Sequence, residues 1–109
     1  MGKAQFAKTK QSIEGLPSVK RELAEKLLSK AVFMEAELEK LQGIIAEKGW
    51  TETYQNGANQ YGVKKSSEGD VYNTLIKNYT AVIAKLNDIL KEEGQQAGDE
   101  LMEFLKRGD

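Results

Sequence analysis

Cysteine and histidine are both absent from the 109 residues. That excludes disulfides, thiol chemistry, zinc sites with nitrogen or sulfur ligands, and every histidine general base. Proline occurs once and aromatic residues make up 7%, against 30% charged residues. The balance is that of a soluble, helix-rich chain and not of a β-sandwich. No apolar run reaches the 18 residues of a membrane span, and the N-terminus has no apolar core of signal-peptide length. A chain without a membrane partner, in the cytoplasm, is therefore expected. Phosphate-loop chemistry is missing too: Gly57 and Gly62 lack the Gly-Lys-Ser/Thr ending that holds nucleotide phosphates. Glu35, Glu37 and Glu39 alternate along a helical stretch, so they do not converge on one cation, and Glu92-Glu93 is no better placed. No catalytic residue, metal site or cofactor is expected.

What is present is charge asymmetry and helical periodicity. The net charge is −1. Residues 1–30 nevertheless set Lys3, Lys8, Lys10, Lys20, Arg21, Lys26 and Lys30 against Glu14, Glu22 and Glu25, while residues 31–62 are acidic. A basic end joined to an acidic middle suits an anion-binding region on a subunit that also packs against neighbours.

Gly15-Leu16-Pro17 separates a short N-terminal segment from a long helix, since proline suits the first helical turn. From there Val19, Leu23, Leu27, Ala31, Met34, Leu38, Leu41 and Ile45 recur at heptad spacing, and Gly49 marks the helix end. Trp50–Tyr54 and Tyr61–Lys64 carry strand-forming residues around Asn56-Gly57, a hairpin signal. Two registers are open: a tight turn pairing Tyr54 with Asn59, or a wider loop pairing Tyr54 with Tyr61. Ser67 with Asp70 has capping-box spacing, so a second long helix is expected to start at Ser67. It carries Tyr72, Leu75, Tyr79, Val82, Leu86 and Ile89 as a second heptad seam and stops at Gly94. The expectation is a mainly α fold: two long antiparallel helices joined by a short β-hairpin or loop, preceded by a short N-terminal helical segment. Residues 1–94 form that core. Residues 95–109 read as a flexible linker and a short amphipathic tail bearing Leu101, Met102, Phe104 and Leu105.

Leu27, Met34, Leu38, Leu41 and Ile45, with Leu75, Tyr79, Val82 and Leu86, are the expected core or oligomer seam. Leu28, Val32, Phe33, Ile44, Ile76, Ile83 and Leu90 lie off that seam and need another partner, which a homo-oligomer or the N-terminal segment supplies. Lys3, Lys8 and Lys10, read as lying on a mobile segment before the long helix, are candidate phosphate contacts together with Lys20, Arg21, Lys64 and Lys65. Trp50, Tyr54 and Tyr61 suit either base stacking or packing of the hairpin on the helix ends, with packing favoured in a chain so poor in aromatics.

The stretch from Gly49 to Ser67, GWTETYQNGANQYGVKKSS, followed by Val71–Tyr79, VYNTLIKNY, resembles phage terminase small subunits. The likeness is to the branch with a long helix, an Asn-Gly connector and a second long helix, and it covers about residues 20–92. The resemblance implies a non-catalytic packaging component acting in the bacterial host cell, encoded by phage or prophage. It implies a homo-oligomer that binds double-stranded viral DNA and presents it to a separate large subunit carrying ATPase and nuclease. The tail residues Leu101, Met102, Phe104 and Leu105 are then the candidate docking segment for that large subunit. The competing expectation is a protein-only helical oligomerisation or adaptor module of phage origin.

Overall fold

The computed structural model describes residues 1–55 and 57–92. In chain order the elements are α1 (Lys3–Glu14), α2 (Ser18–Lys48), β1 (Thr51–Gln55), β2 (Tyr61–Lys65) and α3 (Ser67–Glu92). The molecule is a rod of 63 × 24 × 18 Å. Helices α2 and α3 run antiparallel along it, and their cross-helix contacts step from one end to the other. Lys48 pairs with Glu68, Gln42 donates to the Tyr72 hydroxyl, the Tyr79 hydroxyl donates to Glu35, and Lys20 pairs with Glu92. The expected mainly α fold with a hairpin between long helices is the fold observed. The expected tail, residues 95–109, and the expected stop at Gly94 lie outside the described residues.

The core has two parts. Near the start of α2, Ile13 and Leu16 from the α1 end meet Ala24 and Leu28 of α2 and Leu86, Ile89 and Leu90 of α3. Ala24 is fully buried because a small side chain lets three helices converge. Further along the rod, Ala31 and Leu38 pack on Tyr79 and Ile83, flanked by Met34, Leu75 and Val82. Of the expected seam, Leu38, Ile45, Tyr79 and Leu86 are buried and Leu27, Met34, Leu41, Leu75 and Val82 are half-buried. Leu28 and Leu90, expected to need a partner beyond the seam, find it in Ile13 and Leu16 of the N-terminal segment, and Ile83 is buried with Ala31, Leu38 and Tyr79. Val19 and Leu23, expected in the seam, are 80% and 44% exposed. The buried heptad begins at Ala24 and Leu28, so the two residues before it turn outward.

The chain reversal at Gly49 needs a left-handed backbone, φ +88°, which glycine adopts without a Cβ clash. The strands pair antiparallel with Thr51 opposite Lys65 and Tyr54 opposite Gly62. Neither register foreseen from the sequence is realised. The hairpin closes over residues 56–60, and Tyr54 needs glycine across from it: a Cβ on Gly62 would lie 2.6 Å from the Tyr54 ring. The pair Glu52–Lys64, at 3.3 Å, holds the same register.

Ser66, not Ser67, caps α3. Its Oγ accepts from the Gly69 N–H at 2.9 Å, and its own N–H donates to the Trp50 carbonyl, extending the hairpin ladder by one bond. One buried residue thus ends the sheet and starts the helix, so the N-cap falls one position earlier than the capping-box spacing suggested. Trp50 lies edge-on to Tyr72 at 5.6 Å and closes this junction. Ser66→Ala is expected to cost about 1 kcal/mol, measurable as a lower urea midpoint at constant m. An unchanged midpoint would show that Ser66 is not the effective cap.

Candidate assembly and nucleic-acid surfaces

The basic residues divide into two groups. Lys3, Lys8 and Lys10 are carried on α1, a formed 12-residue helix and not a mobile segment. From the turn at Gly15–Pro17 α1 doubles back along α2, so Lys10 lies beside Glu25 and Ser29 while Lys3 lies two residues from Met1, whose amine meets Glu35 in mid-rod; only Lys20 and Arg21 stand at the first turn of α2. Lys64 and Lys65 sit on β2 at the other end, about 40 Å away along α2 at 1.5 Å per residue. One subunit therefore does not bring the seven together.

Several of them have partners. Lys20 pairs with Glu92 at 3.4 Å, Lys64 with Glu52 at 3.3 Å and Lys65 with Asp70 at 3.5 Å. Exposed pairs of this kind contribute about 0–1 kcal/mol, so they yield readily to a phosphate. Lys3, Lys10 and Arg21 are exposed and make no ion pair among the described residues. Lys30 is equally exposed on α2 and was absent from the sequence-derived set.

The hairpin aromatics are only partly used in packing. Trp50 touches Tyr72 and the Tyr54 ring covers Gly62, yet Tyr61 and Val63 are 68% and 69% exposed on one face of the sheet. Tyr72, expected in the core, is half-buried at the junction, whereas Tyr79 is buried.

The most extended surface feature is on α2. Val19, Leu23, Phe33 and Ile44 are all exposed. At 100° per residue they fall within about 80° of arc, on a stripe about 38 Å long and set away from the α3 contact. The sequence flagged Phe33 and Ile44 as left over. Val19 and Leu23 were missed because they continue the heptad pattern.

In the middle of the rod Glu35 is half-buried, with Oε1 on the Met1 amine and Oε2 accepting from Tyr79. Burial lowers the pKa of that amine, and the charge of Glu39 opposes the shift. Burial also raises the Tyr79 phenol above its ordinary 10.0. A buried phenol ionises at higher pH than the unfolded one, so above pH 10 ionisation favours the unfolded chain. Stability is thus full below pH 10 and falls as pH rises through the shifted Tyr79 value. Tyr79→Phe is expected to flatten this alkaline decline in melting temperature; an identical decline in the variant would assign it to other groups.

Among the described residues no three histidine, cysteine, aspartate or glutamate side chains group to hold a metal ion. No helix among them is long and apolar enough to cross a membrane. No protein-family model, curated protein or solved structure matches the chain.

Proposed function

We propose that this chain is the non-catalytic small subunit of a phage terminase. It assembles into a homo-oligomer, binds double-stranded viral DNA and hands it to a separate large subunit with ATPase and nuclease activity. The single observation that carries the assembling half is the exposed stripe of Val19, Leu23, Phe33 and Ile44 on a helix whose opposite side is already packed. Lys26, Lys30 and Glu37 stand between these four on the same side, so the stripe is a mixed surface of the kind a second copy covers with apolar and charged contacts together. The DNA-binding half rests on Lys3, Lys10 and Arg21, exposed along the half of the rod that α1 covers, supported by the resemblance of the 49–79 connector to terminase small subunits. A single subunit offers few phosphate contacts, and a ring of copies multiplies them through avidity.

The ion pairs of Lys20, Lys64 and Lys65 favour a second reading, a protein-only adaptor whose lysines serve the fold's surface. Sedimentation and DNA binding at two salt concentrations separate the two. An oligomer whose DNA affinity falls steeply with salt, and whose log–log slope drops by about 2 in a Lys10→Gln/Arg21→Gln double variant, supports the packaging reading. An oligomer with no salt-sensitive DNA binding supports the adaptor, and a monomer at micromolar concentration overturns the assembling half of both.

A further inference from the structure

Helix α1, doubling back along α2, leaves an open cleft of about 320 Å³ between them, floored by Phe6, Ile13, Leu28 and Val32. Its rim carries Glu14 and Glu25 at the end near the Gly15–Pro17 turn, with Lys10 and Ser29 further in. Glu14, Glu25 and Lys10 are exposed and make no ion pair among the described residues. An apolar cavity of about 150 Å³ takes up a benzene ring, so this cleft has room for a phenyl group.

We infer that the cleft seats Phe33 of a second copy, with the two α2 helices parallel. Each copy then gives its ring to one neighbour and takes a ring from another. Phe33 is 66% exposed. At 100° per residue it points about 90° round α2 from the mean direction of Glu25, Leu28, Ser29 and Val32, so its ring stands outside its own cleft. Side chains on a helix lean toward its N-terminus, which carries the Phe33 ring back to the level of residues 29–30. The cleft spans residues 25–32 of α2, so ring and cleft share one height on the rod. Leu23 and Ile44, the neighbouring members of the stripe, lean to levels below and above it. Copies standing side by side without sliding therefore bring ring to cleft. That is the condition under which a heterologous contact closes into a ring; a slide along the axis would build a filament.

Charge fixes the direction. Lys30 stands one turn before Phe33 on the same side, exposed and without an ion pair among the described residues. Leaning the same way, it reaches the level of residues 26–27. With the helices parallel, its ammonium arrives at the end of the cleft held by Glu14 and Glu25. Glu37 then falls past Val32, clear of both carboxylates. With the helices antiparallel, Glu37 would fall on those carboxylates instead.

This seat deepens the assembling half of the proposal above and rests on it. The test is a charge exchange read by sedimentation velocity at micromolar concentration. Lys30→Glu sets three carboxylates together and should weaken association by roughly tenfold or more. Adding Glu14→Lys and Glu25→Lys to the same chain should restore it, because every contact then carries the reversed charges. In a mixture of light and isotope-enriched wild-type chains, carbodiimide coupling of touching ammonium and carboxylate groups should join Lys30 to Glu14 or Glu25 in mixed-isotope peptide pairs. Wild-type oligomers that yield no such pairs overturn the seat, as does a folded triple variant that stays dissociated; both leave the assembling reading in place. A wild-type monomer overturns that reading and the seat with it.

Discussion

If copies associate through the α2 stripe as proposed, replacing Phe33 with glutamate is expected to yield monomers while leaving the helical content unchanged. The argument is one of exposure. Phe33 is 66% exposed in the folded chain, so the change removes little that stabilises a single subunit. Within an assembly that covers the α2 stripe, the same ring goes from water to an apolar contact worth about 1.5–3 kcal/mol. A carboxylate placed there adds the cost of desolvating a charge. Since each 1.4 kcal/mol is tenfold, the association constant should fall by roughly 100-fold or more. Sedimentation velocity reads the mass and circular dichroism the fold. An unchanged mass with normal helicity would mean that assembly uses another surface, of which the Tyr61–Val63 face of the hairpin is the next to examine.

Leu86→Ala should have the largest effect on stability. Leu86 is fully buried where α1, α2 and α3 meet, packed with Ile13, Leu16, Ala24 and Leu28. Truncation removes the transfer free energy of the side chain and leaves a cavity, together about 2–5 kcal/mol. The expected total for a small domain is about 5–15 kcal/mol, so this is a substantial fraction. In a chain of this length each kcal/mol moves the melting temperature by about 4–8 °C, and a fall of more than about 10 °C follows. Leu23→Ala is the control. Leu23 is 44% exposed, and its truncation should leave the melting temperature of the subunit nearly unchanged. Equal losses at the two positions would overturn the placement of the buried heptad.

Helix type, helix length and the antiparallel return were all legible, because they follow from local causes. Heptad spacing along residues 19–45 and 72–89, a lone proline at 17 and glycine at 49 act over a few residues of chain. The β-hairpin was legible for the same reason, from Asn56-Gly57 between strand-forming runs. Its register was not. The pairing Tyr54 to Gly62 depends on a ring occupying the space a Cβ would take, a cross-strand fit that neither turn length nor propensity specifies. The cap of α3 was misplaced by one residue for a related reason. Ser66 and Ser67 are equivalent locally, and only the bond from Ser66 N–H to the Trp50 carbonyl turns Ser66 into the cap.

The same division holds for the candidate surfaces. By itself the sequence determined which chemistry is missing, that two amphipathic helices fold back on each other, and that more apolar surface exists than one seam uses. Only the tertiary structure decided which apolar residues are spare. Packing α1 across α2 buries Leu28 and Leu90, and with the buried heptad starting at Ala24 it leaves Val19 and Leu23 outside with Phe33 and Ile44. It also parted Arg21 from Lys64 and Lys65 by most of the rod's length and set Lys3 in mid-rod, near Glu35. Periodicity states which residues share a helix face; which face meets another helix is settled by where the third helix lands.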